Sequence, residues 1–375
     1  MNTISLLDSV SEIIDNRGKT CPTSEYGIAL IATNCVKSSN LFPTKERIRY
    51  VNQHTFDNWF RGHPQPGDIM FVNKGSPGEV CLVPNEVDFC FAQDMVALRA
   101  NKEKIDPLYF FAVLRSQKVK KMIQNMHVGT MIPHFKKTDF KKIDLPLPSR
   151  KIQEFIGNYY YSCSKKIHLN KKSNQNLEKI VKTIFKSWFV NFDPVKAKAA
   201  GKPSGLPKEI NDLFPDSFED SKIGKIPKGW KMGKIEEIAK KISEKYKKED
   251  NWSEERLIDL SRMPSNSISL NSFGKGEELS TSVCRFRKYD FLFGSIRPYF
   301  YKSGICPFDG VSNTSVFILR GINMFDREFL YFYSSNDITF KKSIQYSNGT
   351  KMPIISWKDF KEFCFALPNE ELRKY

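Results

Sequence analysis

Apolar and polar positions alternate in short bursts along the first 148 residues. The stretches Ile28–Ala32, Ile69–Val72 and Met95–Leu98 are bounded by turn-forming residues and predict strands of a mixed α/β domain. At residue 149 the pattern changes. From 149 to 190 there is no proline and one glycine, and apolar or small residues recur every seven positions at Ile156, Cys163, Asn170, Leu177 and Ile184. A neighbouring row runs through Tyr160, Ile167, Asn174, Val181 and Trp188. Rows at this spacing lie together on a long helix and predict a coiled-coil seam. About 40 residues in such a helix make a rod of roughly 60 Å.

Residues 191–229 carry prolines at 194, 203, 207, 215 and 227 and glycines at 201, 205, 224 and 229. These break helical continuity and predict an ordered or semi-rigid connector. A further α/β segment runs from 230 to 368, opening with a short amphipathic helix at Lys234–Ile242. Residues 369–375 follow it.

The two α/β segments are copies. GTMIPHFKKTDFKKIDLPLP at 129–148 returns as GTKMPIISWKDFKEFCFALP at 349–368, each residue 220 positions after its counterpart. Gly129/Gly349, Thr130/Thr350, Pro133/Pro353, Asp139-Phe140-Lys141/Asp359-Phe360-Lys361, Leu147/Leu367 and Pro148/Pro368 match. Upstream, Gly67-Asp68-Ile69-Met70-Phe71 corresponds more loosely to Tyr289-Asp290-Phe291-Leu292-Phe293. A period this long is a duplicated domain, not a solenoid. The predicted fold class is therefore α+β: two similar mixed α/β domains, 1–148 and 230–368, joined by a long coiled-coil-type helix, 149–190, and a Pro/Gly-rich connector, 191–229. A basic chain carrying one domain twice suggests a ligand with two halves.

Charge narrows the ligand. The 375 residues carry a formal charge of +17, which attracts polyanions, either nucleic acid or an anionic membrane surface. No apolar run reaches the roughly 18 residues needed to span a bilayer, and the N-terminus lacks a signal-peptide pattern. Nucleic acid is favoured, in the cytoplasm and with no membrane partner. The eight cysteines are scattered singly without a C-x-x-C pair and read as reduced thiols, so no metal site is expected. Catalytic motifs are missing too. Gly18-Lys19-Thr20 has Ile13 where a phosphate-binding loop needs its first glycine, and the five histidines form no metal-binding cluster.

Here the residues resemble a known family. Phe192-Asp193-Pro194-Val195, Ala197-Lys198, Leu213-Phe214-Pro215-Asp216-Ser217 and Ile226-Pro227-Lys228-Gly229-Trp230 are similar to the central region of type I restriction–modification DNA specificity subunits. FLFGSIRPYFYK at 291–302 and the GT…P…DF…LP repeat fit the same family, and the resemblance covers nearly the whole chain. It implies two target recognition domains, each reading half of a bipartite site on double-stranded DNA. The central helix would dock methyltransferase (modification) subunits, which act with restriction subunits. The chain itself would do no chemistry and bind no cofactor, S-adenosylmethionine, ATP and magnesium belonging to the partners. A second conserved helix follows the second domain in this family, and Glu370-Glu371-Leu372-Arg373 could begin it as Lys151-Ile152-Gln153 begins the first. With most of that helix apparently lacking, the seam of Ile156, Leu177, Ile180, Val181, Ile184 and Trp188 is expected to be covered by another chain. The candidates are a second copy, the methyltransferase subunit or a separately encoded C-terminal fragment.

Candidate DNA contacts lie in loops after strands. In the first domain they are Lys74, Gly75 and Ser76, otherwise an ordinary surface hairpin, with His134, Lys136 and Lys137 in the repeat; the two lysines read somewhat more readily as a solvated face. In the second, Arg297 can grip phosphate or read guanine, and Tyr299 can pack on sugar or belong to the core. Asn313 can pair with adenine or serve its own turn, and Lys351 lies in the repeat. The partner-docking residues are Ile156, Tyr160, Cys163, Ile167, Leu177, Val181, Ile184 and Trp188. Lys240, Lys241, Lys245, Lys247 and Lys248 form a solvated basic run that steers DNA. The competing reading is a structural or assembly protein that binds an acidic protein partner, and a DNA-modifying enzyme is disfavoured by the missing motifs. A steep fall of DNA affinity with salt separates nucleic-acid binding from the assembly reading.

If the helix acts as a ruler, inserting four residues near Lys171–Asn174, about one turn, changes the spacer length of the methylated sequence and leaves both half-sites unchanged. Mapping methylated adenines in cells that carry the variant and its methyltransferase partner checks this. Altered half-sites with a constant spacer contradict it.

Overall fold

Ile69, Met70, Phe71 and Val72 are all buried, so the strand they form has no solvent-facing side. Only a position inside a sheet covered on both faces satisfies such a run. The computed structural model, which describes residues 2–16, 18–126, 133–246, 251–280 and 283–375, places it there. Ile69–Val72 runs antiparallel to Met95–Ala100 on one side and to Val80–Leu82 on the other, and Val10–Asp15 completes a four-stranded sheet. Helices Pro107–Leu114 and Gln117–Met126 contribute Phe110, Phe111, Val119 and Ile123 to the core under it, beside Phe71, Phe135 and Phe140. A smaller sheet orders Arg49–Val51, Ile28–Ile31 and Phe89–Phe91, the last pair parallel. Thr3–Ser5 pairs with Asp144–Pro146, so the end of the repeat segment is tied to the start of the domain.

The second copy follows the same plan. Phe291–Gly294 lies between Val316–Gly321 and Ser303–Ile305, with Ala239–Ile242 on the outside. A second sheet again contains one parallel pair, Arg256–Leu257 with Gly310–Ser312. Helices Met324–Ser334 and Asp337–Gln345 cover the sheet, and Lys231–Lys234 pairs with Cys364–Leu367. The matched sequence is thus matched topology. Contacts divide the chain into Met1–Ser173 and Asn174–Tyr375, each carrying one copy.

One ion pair recurs in both. Asp68, just before the central strand, is 2% exposed and accepts a two-pronged bond from Arg99, Nε to Oδ1 and Nη2 to Oδ2, both 3.0 Å. Asp290 is likewise 2% exposed and accepts the same fork from Arg320 at 2.7 and 2.8 Å. The planar guanidinium matches the carboxylate geometry, as a lysine would not. Each aspartate also accepts a main-chain N–H, from Gln65 and Arg287 respectively, both at 2.8 Å.

The central helix runs from Arg150 to Phe189, 40 residues, and has two working faces. In the first unit its inner face packs Tyr160 and Tyr161 on the core, and Gln153 accepts the Asp106 N–H at 2.9 Å. Gly157 is required there, because a Cβ would come within 2.5 Å of the Tyr109 nitrogen. His168 meets Phe42 edge-on, and Lys171 donates to the Ser39 carbonyl at 3.1 Å. In the second unit Glu178 accepts the Ile268 N–H at 2.9 Å, and Phe185 and Phe189 enter the core. Residues 172–177 between these anchors are all exposed.

The outer face exposes Ile152, Ile156, Ile167, Leu177, Val181 and Ile184, and Cys163 is exposed on it as well. Two residues assigned to the docking row are not on it. Tyr160 turns inward against Phe111, ring centroids 6.1 Å apart, and Trp188 is half-buried against Phe214 at 5.4 Å. Both faces of the helix carry apolar residues, so a heptad count alone could not separate them.

Two local expectations are corrected. The helix expected over Lys234–Ile242 ends at Ile238, and Ala239–Ile242 is a strand against Val316–Gly321. Residues 191–229 are not helix-free, since Asp193–Ala199 is helical with Pro194 in the first turn, where its missing N–H does no harm. This stretch folds with Lys208–Asn211 and the hairpin Phe218–Ser221/Gly224–Pro227 around Val195, Phe214, Ile226 and Trp230. At the other end Glu370–Arg373 is helical, capped by Asn369, with Leu372 buried and Arg373 paired to Asp326. Arg150 faces Asp106 in the same way at 3.7 Å. No helix among the described residues is long and apolar enough to cross a membrane.

Replacing Arg320 with methionine keeps the stem but leaves the Asp290 carboxylate buried without its cation. The expected loss is about 3–5 kcal/mol, read from the urea midpoint of the second unit. An unshifted midpoint contradicts the role given to the fork.

Candidate nucleic-acid interface

Each central strand of the four-stranded sheets ends in a loop that the repeat segment holds from the side. In the first unit Asn73 is buried, donates its N–H to the Asp94 carbonyl at 2.9 Å and accepts the Phe135 N–H at 2.8 Å. Its side-chain amide donates to the Phe135 carbonyl at 3.2 Å, which staples the repeat to the strand end. Lys74 then forms a bridge with His134, and the Gly75 N–H donates to the Pro133 carbonyl at 2.9 Å. The second unit repeats this geometry with other residues. Ser295 donates to Ser315 and accepts from Ile355, both at 3.0 Å, and Ile296 bridges Ile354. The Arg297 N–H donates to the Pro353 carbonyl at 2.7 Å. Pro133 and Pro353, matched in the sequence repeat, therefore act alike, each clamping its loop through the main-chain carbonyl.

The clamp brings several candidates together. Lys74, Gly75, Ser76 and His134 form one surface of the first unit, with the Lys74 side chain 43% exposed and 4.0 Å from Asp94. Lys136 is exposed nearby, whereas Lys137 is tied to Asp15 and is less available as a DNA contact. In the second unit Lys351 sits in a turn closed by paired bonds between Asn348 and Ile354, at 3.0 and 2.9 Å, beside the Arg297 loop. Tyr299 is 43% exposed against Phe300, so it is surface and not core. Asn313 does not present a free edge for adenine, because its Oδ1 accepts the Ser315 N–H at 3.1 Å and the Ser315 hydroxyl. Lys240 and Lys241 lie on the strand Ala239–Ile242. His127, Gly129, Thr130, Lys247 and Lys248 lie outside the described residues.

Residue-by-residue reading missed a cleft beside Gly75 and Ser76 in the first unit. It encloses about 590 Å³ and is lined by Thr33, Asn34, Lys37, Ser39, Glu79 and Lys120, among others. Its only trace in the sequence is the polar run after Ala32. Glu79 organises the floor, accepting from the Ser38 N–H and from Lys120 at 3.2 Å. Burial works to raise its pKa, but Ser38 and the Lys120 ammonium outweigh it and hold the carboxyl below its ordinary value. Among the described residues no group of three or more His, Cys, Asp or Glu side chains could hold a metal ion.

The two copies of the α+β scaffold thus present two loops clamped in the same way. A family model for the type I restriction modification DNA specificity domain matches residues 45–179, which take in the Lys74–Ser76 loop, His134 and most of the central helix. Over that stretch the chain is similar to type I restriction–modification specificity subunits. The type I restriction enzyme HindI specificity subunit of Haemophilus influenzae is 31% identical over 153 residues, 39% of this chain and 33% of that protein. The EcoDI specificity subunit of Escherichia coli is 23% identical over 270 residues, 69% of this chain and 59% of that protein. The matches therefore span less than two thirds of these curated relatives. The type I restriction–modification S subunit of M. genitalium shares the fold, with a TM-score of 0.52 at 16% identity, covering 100% of this chain and 86% of that one.

Glu79 supplies a pH signature. A carboxyl whose folded pKa is depressed adds stability above its unfolded value, about 4.3, and that stability is lost as pH falls through the folded pKa. The advantage of the natural chain over Glu79→Gln should be full at about pH 7 and shrink below about pH 4. Urea unfolding of the two proteins at both pH values checks this, and a difference independent of pH contradicts it.

Proposed function

We propose that this chain is the DNA specificity subunit of a type I restriction–modification complex. Each unit reads one half of a bipartite double-stranded site through its clamped loop. The exposed row of Ile156, Ile167, Leu177, Val181 and Ile184 docks methyltransferase subunits, and restriction subunits join the same complex. The chain performs no chemistry of its own; S-adenosylmethionine, ATP and magnesium act in the partners.

One observation carries this reading. The same main-chain clamp recurs in both units, while the residue it presents differs, Gly75 in one and Arg297 in the other. A scaffold that repeats its geometry and varies its displayed side chain suits two unlike half-sites. The formal charge of +17 supplies the sequence-independent attraction to phosphate.

Exchanging residues 230–368 for the matching segment of another family member, in cells that also make the methyltransferase partner, tests it. The methylated sequence should change in one half only. A change in both halves, or no methylation with the natural chain, overturns the proposal.

A further inference from the structure

We propose that Arg297 is a base-reading arm unique to the second unit, placed to grip the O6 and N7 edge of a guanine. The corresponding position in the first unit, Gly75, contributes no side chain. The inference rests on the DNA-specificity reading above.

The equivalence of the two positions comes from hydrogen bonds, not alignment. Each follows a central strand by the same path, each follows a residue bridged to the repeat segment, and each gives its N–H to the matched proline carbonyl. Both are left-handed, Gly75 at φ 90° and Arg297 at φ 51°. Glycine adopts this conformation freely, whereas a residue with a Cβ is penalised there. The first unit has the residue the backbone wants, and the second has one it does not.

Arg297 carries a second cost. It is half-buried, its Nε is buried with no hydrogen-bond partner, and among the described residues no carboxylate pairs with its guanidinium. Unpartnered buried polar atoms are uncommon and call for an explanation. The guanidinium forks of Arg99 and Arg320, by contrast, are taken up by Asp68 and Asp290. Backbone strain at a residue whose guanidinium no carboxylate among the described residues takes up indicates a partner from outside the chain.

Two targets suit a guanidinium fork: a phosphate or the guanine O6/N7 pair. The surroundings favour the base. Arg297 is held short by its clamped main chain, and the surface around its loop is apolar, with Tyr299, Met352 and Ile354 between 41% and 50% exposed. Such a rim suits base edges and sugars better than a charged backbone. Lys351, exposed in the adjoining turn, is the better phosphate ligand.

The test compares the natural chain with Arg297→Gly and Arg297→Lys, each made with the methyltransferase partner. Arg297→Gly should keep or raise the thermal midpoint, because it removes strain. Its methylated sequence should keep the first half-site and spacer and become degenerate at one G·C pair of the second half-site. Binding to the natural site should fall about 10- to 100-fold, with little change on DNA already altered at that pair. Arg297→Lys should lose the same discrimination, since a single ammonium cannot form the fork. Equal weakening on all sequences, or retention by the lysine variant, would make Arg297 a phosphate contact and overturn the proposal. A lowered midpoint for Arg297→Gly would make the residue structural. If the natural chain directs no bipartite methylation, the specificity reading fails; if it does and the glycine variant matches it, only this inference fails.

Discussion

The fork between a buried aspartate and an arginine on the neighbouring strand is the constraint on which each unit depends. Asp68 and Asp290 stand immediately before the central strands, Arg99 and Arg320 near the ends of the adjoining ones. A one-residue slip would separate donor and acceptor and exchange the side chains that Ile69–Val72 or Phe291–Gly294 pack on the two covered faces of the sheet. The register so enforced sets where each strand ends. The candidate DNA-contacting loops begin there, one or two residues on. Precision at one end of a strand is thereby carried to the other, across roughly 13 Å of strand.

The central helix solves a different problem. It must satisfy its own unit cores and still offer a surface. It does so by dividing its circumference, with Gly157, Tyr160, Phe185 and Phe189 inward and Ile156, Ile167, Leu177 and Ile184 outward. The inner contacts are specific where the helix crosses a loop: Lys171 with the Ser39 carbonyl, Glu178 with the Ile268 N–H. Those loops are themselves counterparts, since Leu41 and Ile268 each accept a main-chain bond from the outer strand of a four-stranded sheet, at 2.9 Å.

Much of this was legible in the sequence because it is periodic or duplicated. The 220-residue repeat announced two domains, and the long stretch without proline announced the helix. What escaped was set by tertiary contact. Lys240 and Lys241 resemble an amphipathic helix until Ala239–Ile242 finds the edge of a sheet. Tyr160 and Trp188 sit on the correct heptad rows but lean toward partners that no row reveals. Pro194 looked like a breaker and is a helix start. At the candidate interface, the position of Arg297, Lys74 and Ser76 in loops after strands was legible. The use of Asn313 by its own turn and the Thr33–Ser39 wall of the cleft are decided only in the folded chain.

The loop clamp has an evolutionary consequence. It is built from an amide and a carbonyl, so the path of the loop does not depend on which side chain stands at the clamped position. At Gly75 a Cβ would meet nothing within 4 Å, so a side chain there costs the strain of a left-handed backbone at φ 90° but no clash. Position and chemistry are thus only loosely coupled. A single codon change can alter what the loop displays while the scaffold around it stays folded, and one unit can drift to a new preference while its twin keeps the old one. If each unit reads half of a site, as proposed, such sockets let new targets be acquired one half at a time.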